Sequence, residues 1–235
     1  MVTRMHKTWE EAYILHTRSF SDTSIIAEVF TRYHGRVSVL AKGAKNPKSK
    51  FFGYLIPFKF LMIITSGKSD LKTLNEVDTN QATLYEQSSH SVYSHLYINE
   101  LIIKILPKDL PNIELFNLYH QFIQTFNSSE FQETSLREFE LDLLDVLGFG
   151  INFDTDSKDN KKFEDDQKYH FVVEKGFYPT NDIDGFTSLE IKNIQGRNLL
   201  AVDKVKLKSL TQTAIQACLD GKDLLSRDIF RSVKS

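Results

Sequence analysis

The sequence has one cysteine, Cys218, in 235 residues. A single thiol cannot close an internal disulfide, and no cysteine set for a structural zinc can be assembled. The seven histidines are scattered, and the closest pair, His90 and His95, has no cysteine near it. No metal is expected, and the chain reads as a protein of a reducing compartment. Long apolar runs are also missing. The longest, Phe60 to Ile64, is far too short to span a bilayer. Arg4, Lys7 and Glu10 are not followed by an apolar stretch, so no leader is expected and the location expected is cytoplasmic. Phosphate-binding glycine motifs are absent. Gly67-Lys68-Ser69 ends like a P-loop, but no glycine stands five positions before Gly67, and a turn between strands is the wrong setting.

Apolar residues make up 41% of the chain, enough for a sizeable core. The first eighty residues favour strands. Ala12, Ile14 and His16 alternate with Tyr13, Leu15 and Thr17, and the run Ser24 to Tyr33 is rich in Ile, Val and Phe. His34-Gly35 makes a turn before Arg36 to Ala41. A longer run, Gly53 to Thr65, is closed by Ser66-Gly67-Lys68-Ser69, and Leu71 to Val77 is the return strand. Five short strands fit a small closed barrel, with an OB-fold the leading candidate and an SH3-like barrel its competitor. From about residue 85 the period becomes helical: Val92, Leu96, Ile98, Leu101, Ile102 and Ile105, ended by Pro107, then Leu115 to Phe126. Ser135-Leu136-Arg137-Glu138 has the form of a capping box before a third helix, with Gly148 and Gly150 as its stop. A helical bundle is expected. Residues 154–168 are polar and charged and read as a mobile loop or disordered insertion. Tyr169 to Val173 and Gly176 to Tyr178 suggest a hairpin. Helical signals return at Leu189 to Ile194, Leu207 to Leu219 and, weakly, Leu225 to Val233. The expected organisation is α+β: a barrel domain over residues 1–80 and an α-helical domain over residues 81–235.

Net charge is only −2, but charge is unevenly distributed. Between Val29 and Ser69 stand eight Lys/Arg residues and no Asp or Glu: Arg32, Arg36, Lys42, Lys45, Lys48, Lys50, Lys59 and Lys68. Four of them crowd into Lys42 to Lys50, directly before Phe51-Phe52. A flexible basic loop on a barrel can follow a phosphate backbone, and adjacent aromatics can stack on unpaired bases. The expected DNA contacts are Arg18, Arg32, Arg36, Lys42, Lys45, Lys48, Lys50 and Phe51, with Phe52 assigned to the core. From Glu130 to Gln167 twelve acids face four bases. Glu138, Glu140, Asp142 and Asp145 could gather magnesium for a nuclease, but a solvated helix face is the simpler reading. From Lys192 to Lys234 nine bases face four acids, including Lys204, Lys206 and Lys208, and Arg227 with Arg231. Asp154 and Asp156 lack the Gly and Glu that complete a calcium loop. Cys218 has an apolar helical register and reads as a buried structural thiol. No catalytic residue and no cofactor is expected.

Several runs, taken in order, resemble the RecO family. They include Ala12-Tyr13-Ile14-Leu15-His16-Thr17-Arg18, Asp22-Thr23-Ser24, Gly35-Arg36-Val37, Ala41-Lys42-Gly43-Ala44 and Leu55-Ile56-Pro57-Phe58. Further on come Leu96-Tyr97-Ile98-Asn99-Glu100-Leu101, Leu136-Arg137-Glu138-Phe139-Glu140-Leu141, Leu147-Gly148-Phe149-Gly150, Asn152-Phe153 and Lys175-Gly176-Phe177. The resemblance implies an OB-fold followed by a helical bundle. It implies binding of single- and double-stranded DNA, annealing of complementary strands, and work with RecR and the single-strand-binding protein SSB to load the RecA recombinase. Many members hold zinc with four cysteines after the position of Asn152-Phe153; none stands there in this chain, which resembles the zinc-free branch. SSB ends in an acidic tail with a terminal Phe. The expected site for it lies on the helical domain, with Arg137 supplying charge, Phe139 and Leu143 the floor, and Lys204, Lys206 and Lys208 the rim. The competing readings are a generic OB-type nucleic-acid-binding module without partners, and a nuclease using the acidic helix.

Overall fold

A computed structural model describes residues 8–79, 89–126 and 133–226. The chain divides into two compact units, Met1–Ile123 with Leu224–Ser235, and Gln124–Asp223.

The first unit is built on a closed five-stranded barrel. Its strands are β1 (Glu10–Ser19), β2 (Ile25–Thr31), β3 (Gly35–Ala41), β4 (Phe60–Ser66) and β5 (Leu71–Asp78), in the order β1-β2-β3-β5-β4. Neighbours pair antiparallel except β3 and β5, which run parallel from Ser38 opposite Leu71. Because side chains alternate along a strand, Ala12 and Ile14 point into the barrel with Ala27, Val29, Val37, Val39, Leu61 and Ile63. Tyr13 and Leu15 are nevertheless buried too. Their side of β1 is covered by helices α1 (Ser89–Ile105) and α2 (Ile113–Phe126). The Tyr13 ring meets Phe116 and Tyr119 at centroid distances of 5.9 and 5.0 Å, and its hydroxyl lies 2.8 Å from His120 Nδ1. Asn99 Nδ2 donates to the Leu15 carbonyl at 2.8 Å and accepts at Oδ1 from the Tyr119 hydroxyl at 2.6 Å. Burial pushes the Tyr119 phenol well up, so it stays a donor. Each such side chain contributes about 1.5–3 kcal/mol by leaving water.

The segment after α1 closes one end of this barrel. Arg36 forms a parallel bridge with Lys108, and the Arg36 carbonyl accepts from Asp109 N at 3.0 Å. A Cβ on Gly35 would sit 2.1 Å from the Leu110 carbonyl oxygen, and Gly35 also has φ +70. Only glycine fits there. The chain rejoins this unit at Leu224. The Glu100 carboxylate accepts from Leu225 N at 2.9 Å, Ser226 N at 2.8 Å and the Ser226 hydroxyl at 2.6 Å.

The second unit holds α3 (Glu133–Val146), β6 (Lys168–Val172), β7 (Gly176–Thr180), β8 (Phe186–Thr187), α4 (Ser188–Gln195), a 3₁₀ turn (Leu199–Ala201) and α5 (Lys204–Cys218). The strands form a sheet in the order β7-β6-β8. Leu141 of α3 and Leu207 and Leu210 of α5 share a core with Phe153, Phe163, Tyr169, Phe177 and Phe186.

The barrel-then-helices α+β class stands as the sequence reading has it, but several local expectations differ. The strand expected over Gly53 to Thr65 begins only at Phe60, because residues 42–59 fold as consecutive turns and Phe58 takes φ 69. Residues 154–168 are not a disordered insertion. The Asp156 carboxylate accepts N–H bonds from Lys158, Asp159 and Lys161 at 2.9, 2.8 and 3.0 Å, and Phe163 is buried in the core. These backbone donors, Asp159 first, hold the Asp156 carboxyl below its ordinary range. Ser135 lies inside α3 and does not cap it. The capping box is instead at Thr187 and Glu190, opening α4. Beyond Ser226 the expected last helix, with Arg227 and Arg231, lies outside the described residues.

Candidate nucleic-acid interface

Two loops meet at the end of the barrel where β1 gives way to β2 and β3 gives way to β4. Gly43 N donates to Ser24 Oγ at 3.3 Å, Lys45 N to the Thr23 carbonyl at 2.9 Å, and Lys45 Nζ to the Ser21 carbonyl at 2.5 Å. The longer loop then winds through turns closed by Asn46 N to Gly43 O, Ser49 N to Asn46 O and Phe52 N to Ser49 O. Ala44, Phe51 and Leu55 anchor it in the barrel core. Such a loop is held at its apolar points and presents the intervening positions outward. Lys42, Lys48 and Lys50 are exposed, and Lys45 is half-buried.

The aromatic expectation is reversed. Phe51 was expected to face DNA, yet it is 6% exposed and packs inside, with Lys50 Nζ lying 5.3 Å from its ring centroid. Phe52, expected in the core, is 51% exposed. The turn ending at Phe52 decides which of the two adjacent rings points inward, and adjacency in sequence carries no trace of that. Phe20 was not anticipated at all and is 56% exposed in the facing loop. Its signal was an isolated aromatic within Ser19-Phe20-Ser21-Asp22, a polar turn with no apolar period to serve.

The arginines are placed elsewhere. Arg36 stands six residues before Lys42 along β3, roughly 20 Å away at the rise of a strand, at the opposite end of the barrel. Its side chain is 13% exposed and is bound by Glu28 at 3.0 Å and by the Leu106 carbonyl at 3.0 Å. Glu28 is shared with the Ser38 hydroxyl at 2.5 Å and Lys108 at 3.8 Å. Arg32 pairs with Glu11 at 2.5 Å and lies over the Tyr33 and Phe116 rings. The Glu11 hydrogen bond holds the Arg32 guanidinium even more firmly cationic than usual. Arg18 is exposed near the end of β1, on the side of the lysine loop.

Comparison with known proteins decides the family. Residues 5–82 match the model described as recombination protein O N terminal, and residues 87–188 match recombination protein O C terminal. The chain is 37% identical over 227 residues to the DNA repair protein RecO of Salmonella typhimurium, covering 95% of this chain and 93% of that one. The same values hold for the proteins of that name from Salmonella typhi and Salmonella newport. The chain belongs to the RecO family. Its role is therefore in DNA repair and recombination.

In this RecO-family chain the residues expected to receive a partner's tail do not line an open pocket. Phe139 and Leu143 are buried in the second unit. Arg137 is buried as well, pairing with Glu140 at 2.7 Å and donating to Thr211 Oγ1 at 3.1 Å. Arg137 Nε is buried with no hydrogen-bond partner among the described residues. Lys206 is bound to Glu190 at 3.1 Å and to the Gly185 carbonyl at 2.9 Å, while Lys204 and Lys208 are exposed. Burial pushes Glu190 up, but bonds from Thr187 and Lys206 outweigh it and its carboxyl is lowered on balance. This unit also has a largely apolar cavity of about 360 Å³ lined by Phe149, Ile151, Phe171, Ala214 and Cys218, together with Glu174 and Lys175. Burial and the nearby Glu174 raise the Cys218 thiol, so it is not an activated nucleophile.

The acids of α3 are also engaged. Arg197 bridges Asp142 at 2.8 Å and Asp145 at 2.6 Å, and Glu140 faces inward. Among the described residues no group of three His, Cys, Asp or Glu side chains is placed to hold a metal ion, and no helix is long and apolar enough to cross a membrane.

Proposed function

We propose that this RecO-family chain is a non-enzymatic mediator that holds single- and double-stranded DNA by the backbone and anneals complementary strands. It acts with RecR to load RecA on SSB-coated DNA in the cytoplasm, at the nucleoid. One observation supports the DNA reading above the others: Lys42, Lys48 and Lys50 are exposed on one loop, with Lys45 half-buried between them. Annealing needs no bond chemistry. It needs cations that offset repulsion between two polyanions while leaving base edges accessible. Titration of oligonucleotides across a salt series tests it, followed by strand annealing on SSB-coated DNA. Tight binding in dilute buffer that weakens steeply with salt is expected; no binding at low salt would remove the proposal. If DNA binds but SSB-coated strands are not annealed, the chain is a binding module without mediator function.

A second reading concerns the partner tail. Arg137 Nε, buried and without an acceptor among the described residues, supports a carboxylate ligand at that arginine, one that would displace Glu140 to reach it. The tail's Phe would then need apolar space other than Phe139 and Leu143, and the cavity beside Phe149 and Phe171 offers it. An acidic peptide ending in Phe should bind the intact chain and lose affinity when Arg137→Gln is combined with Glu140→Gln. An unchanged affinity in that folded double variant counts against the assignment.

A further inference from the structure

We propose that Phe20 and Phe52 are the base-contacting residues of the lysine-bearing end of the barrel, and that they make it favour single strands over duplex; this rests on the DNA-binding reading above. The two rings sit in loops that are tied together by three hydrogen bonds between residues 21–24 and 43–45. Both are more than half exposed. Phe52 is not needed to anchor its loop, since Ala44, Phe51 and Leu55 do so inside the barrel, and the Phe20 loop is closed by backbone, with Phe20 N donating to the Ser24 carbonyl at 3.1 Å. Exposed aromatics set among lysines match the chemistry of an unpaired strand, in which phosphates and base faces are both accessible. A duplex offers its phosphates and groove edges but not its base faces, which are stacked on one another.

This division of labour has a consequence for annealing. The lysines hold the substrate strand and the product duplex alike. The rings hold only the strand, and each base that pairs with a complement leaves the ring. The product is therefore held less tightly than the substrate, and pairing itself drives release.

The test compares the intact chain with a Phe20→Ala, Phe52→Ala double variant on three probes: a single-stranded oligonucleotide, an abasic strand of equal length, and a duplex. The double variant should lose about 30-fold or more in affinity for the base-bearing strand, since each stacked ring is worth about 1–3 kcal/mol. Its affinity for the abasic strand and the duplex should stay within about twofold, with the same salt slope. Its melting temperature should fall by only a few degrees, because about half of each ring is already exposed. A direct readout uses Phe52→Trp in a Trp9→Phe background, which leaves one tryptophan. Its fluorescence should be quenched by the base-bearing strand and not by the abasic one. Equal losses on all three probes, or no loss on the single strand, overturn the proposal. If the intact chain binds neither the base-bearing nor the abasic strand in dilute buffer, the parent DNA reading falls and takes this one with it.

Discussion

The two ends of the barrel carry cations in similar number and use them in opposite ways. At the end where β2 turns into β3, Arg32, Arg36 and Lys108 each have a carboxylate partner, Glu11 for the first and Glu28 for the other two. At the other end Lys42, Lys48 and Lys50 face solvent on a loop. Glu28 lies just outside the acid-free window of the sequence and Glu11 well before it, yet the strand pairing sets both beside cations inside it. Charge counted along a chain is therefore not charge on a surface. What decides is which strand lies alongside.

The two ends also differ in crowding, and this gives the largest expected effect. Gly35 and Gly43 both have φ +70, but a Cβ at Gly43 meets nothing within 4 Å, whereas at Gly35 it meets backbone at 2.1 Å. Gly35→Ala should lose about 3 kcal/mol or more, and Gly43→Ala only about 1 kcal/mol. Denaturant midpoints of the two variants measure the gap, and equal losses would dissolve the contrast. Next, Lys42, Lys45, Lys48 and Lys50 changed together to Gln should weaken oligonucleotide binding on the order of 100-fold at low salt and flatten its salt dependence. Filter binding across a salt series reads both. Arg36→Gln should do the reverse. It should cost about 1–3 kcal/mol of stability by leaving Glu28 short of a partner, while DNA affinity stays as it was. A loss of DNA affinity without a loss of stability would place Arg36 on the interface after all.

The smallest effect is local. Burial pushes the Glu100 carboxyl up, but bonds from Ser226, Leu225 and Lys104 outweigh it, so its folded value lies below the ordinary one. A lowered folded value means that the hold on Leu225 and Ser226 is complete above the ordinary carboxylate range and fades as pH falls through the folded value. Amide hydrogen exchange at Leu225 and Ser226, corrected for intrinsic rates, should show protection that declines on acidification. In Glu100→Gln that decline should be absent.

Much of this was legible in the chain. The period-two runs Ala12 to Thr17 and Arg36 to Ala41 announce strands, and the change to helical spacing after residue 85 announces α1 and α2. These signals survive because they come from local geometry, the alternation of a strand and the turn of a helix. The lysine cluster is visible for the same reason, since Gly43 and Pro47 keep it out of regular structure. The failures share a different cause. Residues 154–168 look disordered because they are polar, and only the fold reveals that their backbone donors converge on Asp156. Phe139, Leu143 and Arg137 carry the chemistry of a ligand site, and only packing shows that the two apolar side chains are buried and that Arg137 is paired with Glu140.

Composition and periodicity alone settled the barrel, the helices and the existence of a basic loop, because each is written in spacings of a few residues. The tertiary structure alone decided which cations are bound to acids and which of two neighbouring phenylalanines faces water. Those outcomes depend on partners distant in sequence, such as Glu28 beside Arg36 and Thr23 beside Lys45, and no local window contains both members of such a pair.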